Sequence, residues 1–316
     1  MRKLVSYLFR VILALFVIVN VITAFHAYKF THFYDADQSV IIKPQNKKNG
    51  LEITKDLLLG FKAYKRPDNI ISDSTLQVVN LTTTDHINIE GWYIPTSLSV
   101  KGTVILFHGH GSHKQAVLNE AAAFRQMGYH TFLIDFRAHG NSGGNTSTIG
   151  YKEGEEVKLA YDYIKQKNEG NIILWGISMG AAAITSGIHS YPELTPTKII
   201  LEMPYGTLLE AAEGRIRIMG IPAEPLAALI TFWGGVEHGF WAFNMKPSAY
   251  AKDVTEPVLL QWGVNDPRVS AAEINGIYKN IPGPKKLVVY QNSKHESLCK
   301  NEHAKWITEV QNFLNQ

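Results

Sequence analysis

The stretch Gly176-Ile177-Ser178-Met179-Gly180 constrains this chain more than any other. Four apolar residues, Ile172 to Trp175, lead into it, and three alanines, Ala181 to Ala183, follow it. An apolar run that gives way to small residues through glycine, serine and glycine suits a sharp strand-to-helix turn. In such a turn neighbouring backbones approach so closely that side chains at 176 and 180 would clash, hence glycine at both. The turn pushes the Ser178 hydroxyl out beyond the carboxyl end of the strand. The Met179 N–H, at the helix start, can then face a developing oxyanion with help from the helix dipole.

The surrounding sequence supplies a sheet for that strand. From residue 76, LQVVNLTT and HINIEGWYIP alternate like an antiparallel pair. GTVILFHG, HTFLIDF, NIILWGIS, TKIILEMP, EPVLLQWG and KKLVVYQ are apolar throughout, as strands buried on both faces are. Helical spacing appears between them in QAVLNEAAAFRQMGY, EGEEVKLAYDYIKQK, MGAAAITSGIHS and AAEINGIYKNI. The last helix, HAKWITEVQNFLN, puts Trp306, Ile307, Val310, Phe313 and Leu314 on one face. Strands alternating with helices imply a mostly parallel central sheet with helices on both faces. One insertion, at about 207–252, breaks the rhythm; it is helical, aromatic at one end, and placed where a cap over the sheet's carboxyl edge would sit.

A serine hydroxyl needs a base, and the base an orienting carboxylate. Asp266 follows the next-to-last strand in QWGVNDPRVS, and His295 follows the last in YQNSKHESL. Both fall at the end of the sheet where Ser178 emerges. Glu202, in IILEMP, is the competing acid, or else bonds backbone amides beneath the cap. Cys299 is the one cysteine, which excludes an intrachain disulfide; it reads as a small packed residue.

These stretches resemble the α/β-hydrolase superfamily, in particular its peptidase S33/S9-like and BEM46-like serine hydrolases, over about residues 76–316. FHGHG, DFRAHGNSGG, GISMG, WGVNDPRV and SKHESL carry the resemblance. It implies an α/β-hydrolase fold with Ser178 as nucleophile, His295 as base, Asp266 as acid, and an oxyanion hole from the N–H groups of His110 and Met179. It implies no cofactor and no metal. Ala138 stands where the family's D-x-R-G loop has glycine, and Asp135, Arg137 and Ser142 read as loop-fixing residues. The expected substrate is an ester or related acyl compound, lipid-like if the aromatic cap contacts it.

Two other readings stay open. His108, His110 and His113 in ILFHGHGSHK resemble a zinc ligand run, although Ser112 replaces the expected aspartate and Gly109 and Gly111 suit a backbone anion pocket better. The fold could also serve binding without catalysis.

The N-terminus adds a membrane expectation. Residues 11–25 carry no charge and follow Arg2, Lys3 and Arg10. That length lies between a signal-peptide core of roughly 7–15 residues and a spanning helix of about 17–25. A clean cleavage site is missing, since Phe25 would occupy the −3 position before Ala27. The segment therefore reads as a signal anchor over 1–28, with a stalk over 29–75 and the hydrolase domain outside the cytoplasm. Cleavage to a secreted or periplasmic form, or an apolar helix packed on the domain, are the alternatives. The formal charge of +3 on 316 residues is not gathered into a basic stripe, and no nucleic-acid partner is expected.

Overall fold

A computed structural model describes residues 1–35, 60, 62–69, 73–167 and 169–316. The apolar runs form one eight-stranded sheet in the order β10-β9-β8-β7-β5-β6-β4-β3. Its strands are β3 (Gln77–Thr82), β4 (Asn88–Ile94), β5 (Gly102–Phe107), β6 (Tyr129–Ile134), β7 (Ile172–Ile177), β8 (Lys198–Glu202), β9 (Val258–Gly263) and β10 (Lys285–Tyr290). β3 pairs antiparallel with β4, and β4 antiparallel with β6; every other pairing is parallel. The continuous apolar runs of β5 and β9 are buried at every residue, whereas β3 at the edge is largely exposed.

The helices α2 (Leu118–Gln126), α3 (Glu153–Gln166), α4 (Met179–Ser190), α5 (Leu208–Arg217), α6 (Leu226–His238), α7 (Pro247–Tyr250), α8 (Ala271–Asn280), α9 (Leu298–Asn301) and α10 (His303–Leu314) follow the sequence rhythm. In α10, Trp306, Val310 and Phe313 are buried, and Ile307 and Leu314 pack at the margin of the same core. The insertion between β8 and β9 holds α5, α6 and α7. Thr207 starts it by accepting the Glu210 N–H at 3.1 Å.

The chain leaves β5 for β6 on one side and places β7 on the other. At such a reversal the loops beyond the strand ends part, which opens a crevice at their carboxyl ends. The loops bearing His110 and Ser178 leave the sheet there, from the adjacent strands β5 and β7.

The N-terminal helix, α1 (Arg2–Thr31), is long and apolar enough to cross a membrane. Its side chains from Leu4 to Val19 are largely exposed, while Thr23, Ala27 and Thr31, spaced by four, are buried. That buried stripe faces α6, and the Trp233 indole donates to Asn20 Oδ1 at 3.2 Å. One helix thus has a free apolar half and a half packed on α6. The expected boundary at 28 gives way to helix as far as Thr31, because this stripe continues to that turn.

The described part of the expected stalk is docked on the domain. β1 (Phe33–Tyr34) pairs with β2 (Ala63–Tyr64), and the Phe33 N–H donates to the Asn145 carbonyl at 2.7 Å. Asp68 enters a buried cluster in which the Lys114 ammonium bonds Asp68, Asp135 at 2.5 Å and Glu90 at 2.9 Å. The rest of the expected stalk, residues 36–59, 61 and 70–72, lies outside the described residues.

Candidate active site

Ser178 closes β7 with φ 55° and ψ −116°, a conformation that costs a non-glycine residue energy and is held by the packing around it. A Cβ at Gly176 would collide with the Gly180 backbone, and one at Gly180 with the Phe107 carbonyl of β5. The two glycines therefore let α4 start directly against the sheet. The Ser178 N–H donates to the Glu202 carbonyl at 2.8 Å, which ties the turn to β8.

His295 Nε2 lies 2.9 Å from Ser178 Oγ, and His295 Nδ1 lies 2.7 Å from Asp266 Oδ2. The carboxylate can only accept, so it holds the proton on Nδ1 and leaves Nε2 to accept from the hydroxyl. Asp266 Oδ1 accepts the N–H groups of Arg268 at 2.7 Å and Val269 at 3.0 Å. Three residues separated by up to 117 positions are thus in one chain of hydrogen bonds.

Glu202 is elsewhere. Its Oε1 accepts the Trp175 indole at 3.0 Å, the Trp306 indole at 2.6 Å and the Gln261 amide at 3.3 Å. Burial, reinforced by the charge of Glu120, pushes its carboxyl up to about 8. It anchors α10 to the sheet, and the partner of His295 is Asp266.

The loop after β5 explains its histidines. His108 Nδ1 donates to the Gly109 carbonyl at 2.8 Å, and His108 Nε2 accepts the Phe136 N–H at 3.1 Å. His139 repeats the arrangement, donating to the Arg137 carbonyl at 2.8 Å and accepting the Gly111 N–H at 3.0 Å. Both rings are buried, and desolvation brings each down to about 3, so they are neutral braces. His110 is half-buried; its ring lies 4.8 Å from Phe30 and 5.2 Å from Phe33. With both His108 nitrogens engaged by backbone, these histidines are not set to share an ion, and the zinc reading fails on that geometry. Asp68, Glu90 and Asp135 do converge, but on the Lys114 ammonium.

The loop after β6 is tied internally. Asp135 Oδ1 accepts the Lys114 N–H at 2.6 Å, and Asp135 Oδ2 the Asn141 N–H at 2.9 Å. Ser142 Oγ donates to the Asp135 carbonyl at 2.6 Å. Arg137 is buried against Glu156, and its N–H donates to Glu156 Oε2 at 2.8 Å. Ala138 has φ 62°, so the position that usually carries glycine does adopt the left-handed region here.

One pocket brings together Ser178, His295, His110 and Met179, four of the residues expected at the site, with others that the sequence did not single out, among them Phe30, Arg215 and Arg268. Phe30 comes from α1 and Arg215 from α5. Arg268 had a signal, its place two residues after Asp266; Phe30 had none.

Residues 99–218 match the family model for serine aminopeptidase, S33. The match includes the Ser178 turn and stops just after α5, before Asp266 and His295. The uncharacterized protein YqkD of Bacillus subtilis is 27% identical over 234 residues, 72% of this chain and 75% of its own. The lysophosphatidylserine lipase ABHD12 of Xenopus tropicalis is 30% identical over 131 residues, 39% of this chain and 32% of its own length. Among solved structures, the Pyrococcus furiosus esterase Pf2001 superposes with a TM-score of 0.64 at 23% identity, covering 79% of this chain and 97% of that one. The chain has the α/β-hydrolase fold. It is similar to the serine aminopeptidase S33 group and to esterases and lipases.

Proposed function

We propose that this protein is a membrane-anchored serine hydrolase that cleaves an ester of an apolar acyl group. The observation that carries the reading is the position of His295, 2.9 Å from Ser178 Oγ and 2.7 Å from Asp266. His295 Nε2 takes the Ser178 proton as Oγ attacks the acyl carbon. The carbonyl oxygen becomes an oxyanion before the N–H groups of His110 and Met179, each such donor being worth about 3–4 kcal/mol. The acyl–oxygen bond then breaks, and His295 returns the proton to the departing alcohol. Water, deprotonated by the same imidazole, hydrolyses the acyl-enzyme and restores Ser178. No metal or cofactor enters these steps.

A small apolar pocket between α1 and α6, lined by Ala27, Phe30, Leu208, Ile230 and Phe240, adjoins the site and suits an apolar group of the substrate. The free half of α1 suits a bilayer, and Arg2, Lys3 and Arg10, all ahead of the uncharged residues 11–25, suit a cytoplasmic N-terminus with the hydrolase domain on the other side. The test is labelling with a fluorophosphonate. Wild-type protein should label and turn over p-nitrophenyl esters, and Ser178→Ala should do neither. A folded wild-type protein that resists the probe would instead favour a binding role.

A further inference from the structure

Arg215 and Arg268 share the pocket of Ser178 and His295. Arg125 and Arg137 have carboxylate partners, but among the described residues neither Arg215 nor Arg268 has one. The pair is built by close backbone contact. A Cβ at Gly214 would run into the Arg268 carbonyl, so α5 can lie directly on the 266–269 turn only with glycine there. That sets residue 215 beside residue 268. The turn is itself fixed by Asp266, whose Oδ1 accepts the Arg268 N–H while Oδ2 faces His295.

Two guanidiniums placed together without an acid repel each other, and a guanidinium does not escape by losing its proton. Both side chains are exposed where they line the pocket, so the two charges are open to a ligand. Desolvation, and then the charge of Arg268, lower the affinity of Arg215 for its proton. An anionic group between them relieves that repulsion. The surroundings extend the charge: an adjoining pocket shares Phe30, His110 and Arg215 and adds Lys29 and Lys62. The Arg215 guanidinium carbon lies 5.3 Å from the centre of the Phe30 ring, and Phe30 also lines the apolar pocket. Three compartments therefore meet at Phe30, one holding the nucleophile, one apolar and one cationic.

We infer that the substrate is an acyl ester whose alcohol part carries a phosphate, bound between Arg215 and Arg268. The inference rests on the serine-hydrolase reading above. Arg268 sits in the loop that orients His295, the group that returns a proton to the departing alcohol, so the charge belongs on that side of the ester. Paired guanidiniums match the oxygens of a phosphate with parallel N–H donors. The acyl chain then points toward the apolar pocket along α1.

The test uses the full-length protein in a neutral detergent and three esters of one acyl chain: a monoacylglycerol, its 3-phosphate, and its hemisuccinate. The readout is the ratio of kcat/KM for each charged ester to that for the neutral one. The phosphate should be preferred by about tenfold or more, the worth of one charge-assisted hydrogen bond. Arg215→Gln and Arg268→Gln should each bring the ratio toward one, while fluorophosphonate labelling of each variant verifies a folded site. A wild-type ratio near one, or a ratio unchanged in both variants, overturns the inference. Equal preference for the hemisuccinate overturns the assignment to phosphate. Ser178→Ala cleaving all three esters at wild-type rates would overturn the hydrolase mechanism instead.

Discussion

The ring of Phe30 stands 4.8 Å from the imidazole of His110. Phe30 is in the last turn of the helix that begins at Arg2, and His110 is in the loop beside Ser178. The apolar N-terminal helix is therefore a wall of the candidate site. Phe30→Ala should join the nucleophile's pocket to the apolar one and weaken selection for chain length. The ratio of kcat/KM for a long p-nitrophenyl ester to that for the acetate should change by about tenfold, since one lost apolar contact is worth roughly 1–3 kcal/mol. An unchanged chain-length profile would mean that α1 touches the site without shaping it.

The two carboxylates near the carboxyl ends of the strands should separate cleanly. Asp266→Asn presents a donor to His295 Nδ1 and favours the wrong tautomer, so kcat should fall by about 10⁴. Glu202→Gln retains an oxygen for the indoles of Trp175 and Trp306. Its carboxyl is held neutral up to about 8, so the amide resembles the form present at neutral pH. Activity should stay within about threefold of wild type. The reverse ranking would transfer the acid's role to Glu202.

Much of this was legible because it is local. The GISMG turn, the strand rhythm and the loops after β9 and β10 all announce themselves within ten residues, and chain order then brings Ser178, Asp266 and His295 to one edge. The unread parts depend on tertiary contact. An apolar helix has the same sequence signature whether it stands free or packs, and only the stripe Thr23, Ala27, Thr31 decides. Arg215 looks like a polar-face residue of an amphipathic helix until Gly214 meets the 266–269 turn. Asp68 lies in a stretch rich in charge and proline, where burial has no local mark.

Acid should destabilise the fold through the buried histidines of the site loops. His108 and His139 are held neutral down to about 3 by burial, against an unfolded value near 6.5. Below about pH 6.5 the unfolded chain binds protons that the folded one does not. Stability is therefore complete above that pH and is lost as pH falls toward 3, by up to about 1.4 kcal/mol per unit for each ring. His139→Gln retains an acceptor for the Gly111 N–H and should be less stable at pH 7, with a flatter decline between pH 6.5 and 5. Urea midpoints across that range give the slopes, and equal slopes in variant and wild type would remove His139 from the account.

The buried ammonium of Lys114 faces Asp68, Asp135 and Glu90, three acids for one cation. Removing the cation leaves that negative charge uncompensated in the interior. Lys114→Met should therefore cost about 3–5 kcal/mol, read from urea unfolding. Removing one acid should do far less. Burial, and then the charge of Asp135, raises Asp68 to about 6, above its ordinary value near 3.8. The folded state thus favours the protonated form, and its contribution is complete below about pH 4 and declines as pH rises through 6. Asp68→Asn fixes the neutral form. Its deficit relative to wild type should shrink as pH rises from 4 to 6 and stay below about 1 kcal/mol above that range. If Asp68→Asn instead costs as much as Lys114→Met at pH 7.5, Asp68 is needed as a charge, and the cluster holds its segment as an ion pair rather than as a neutral hydrogen bond.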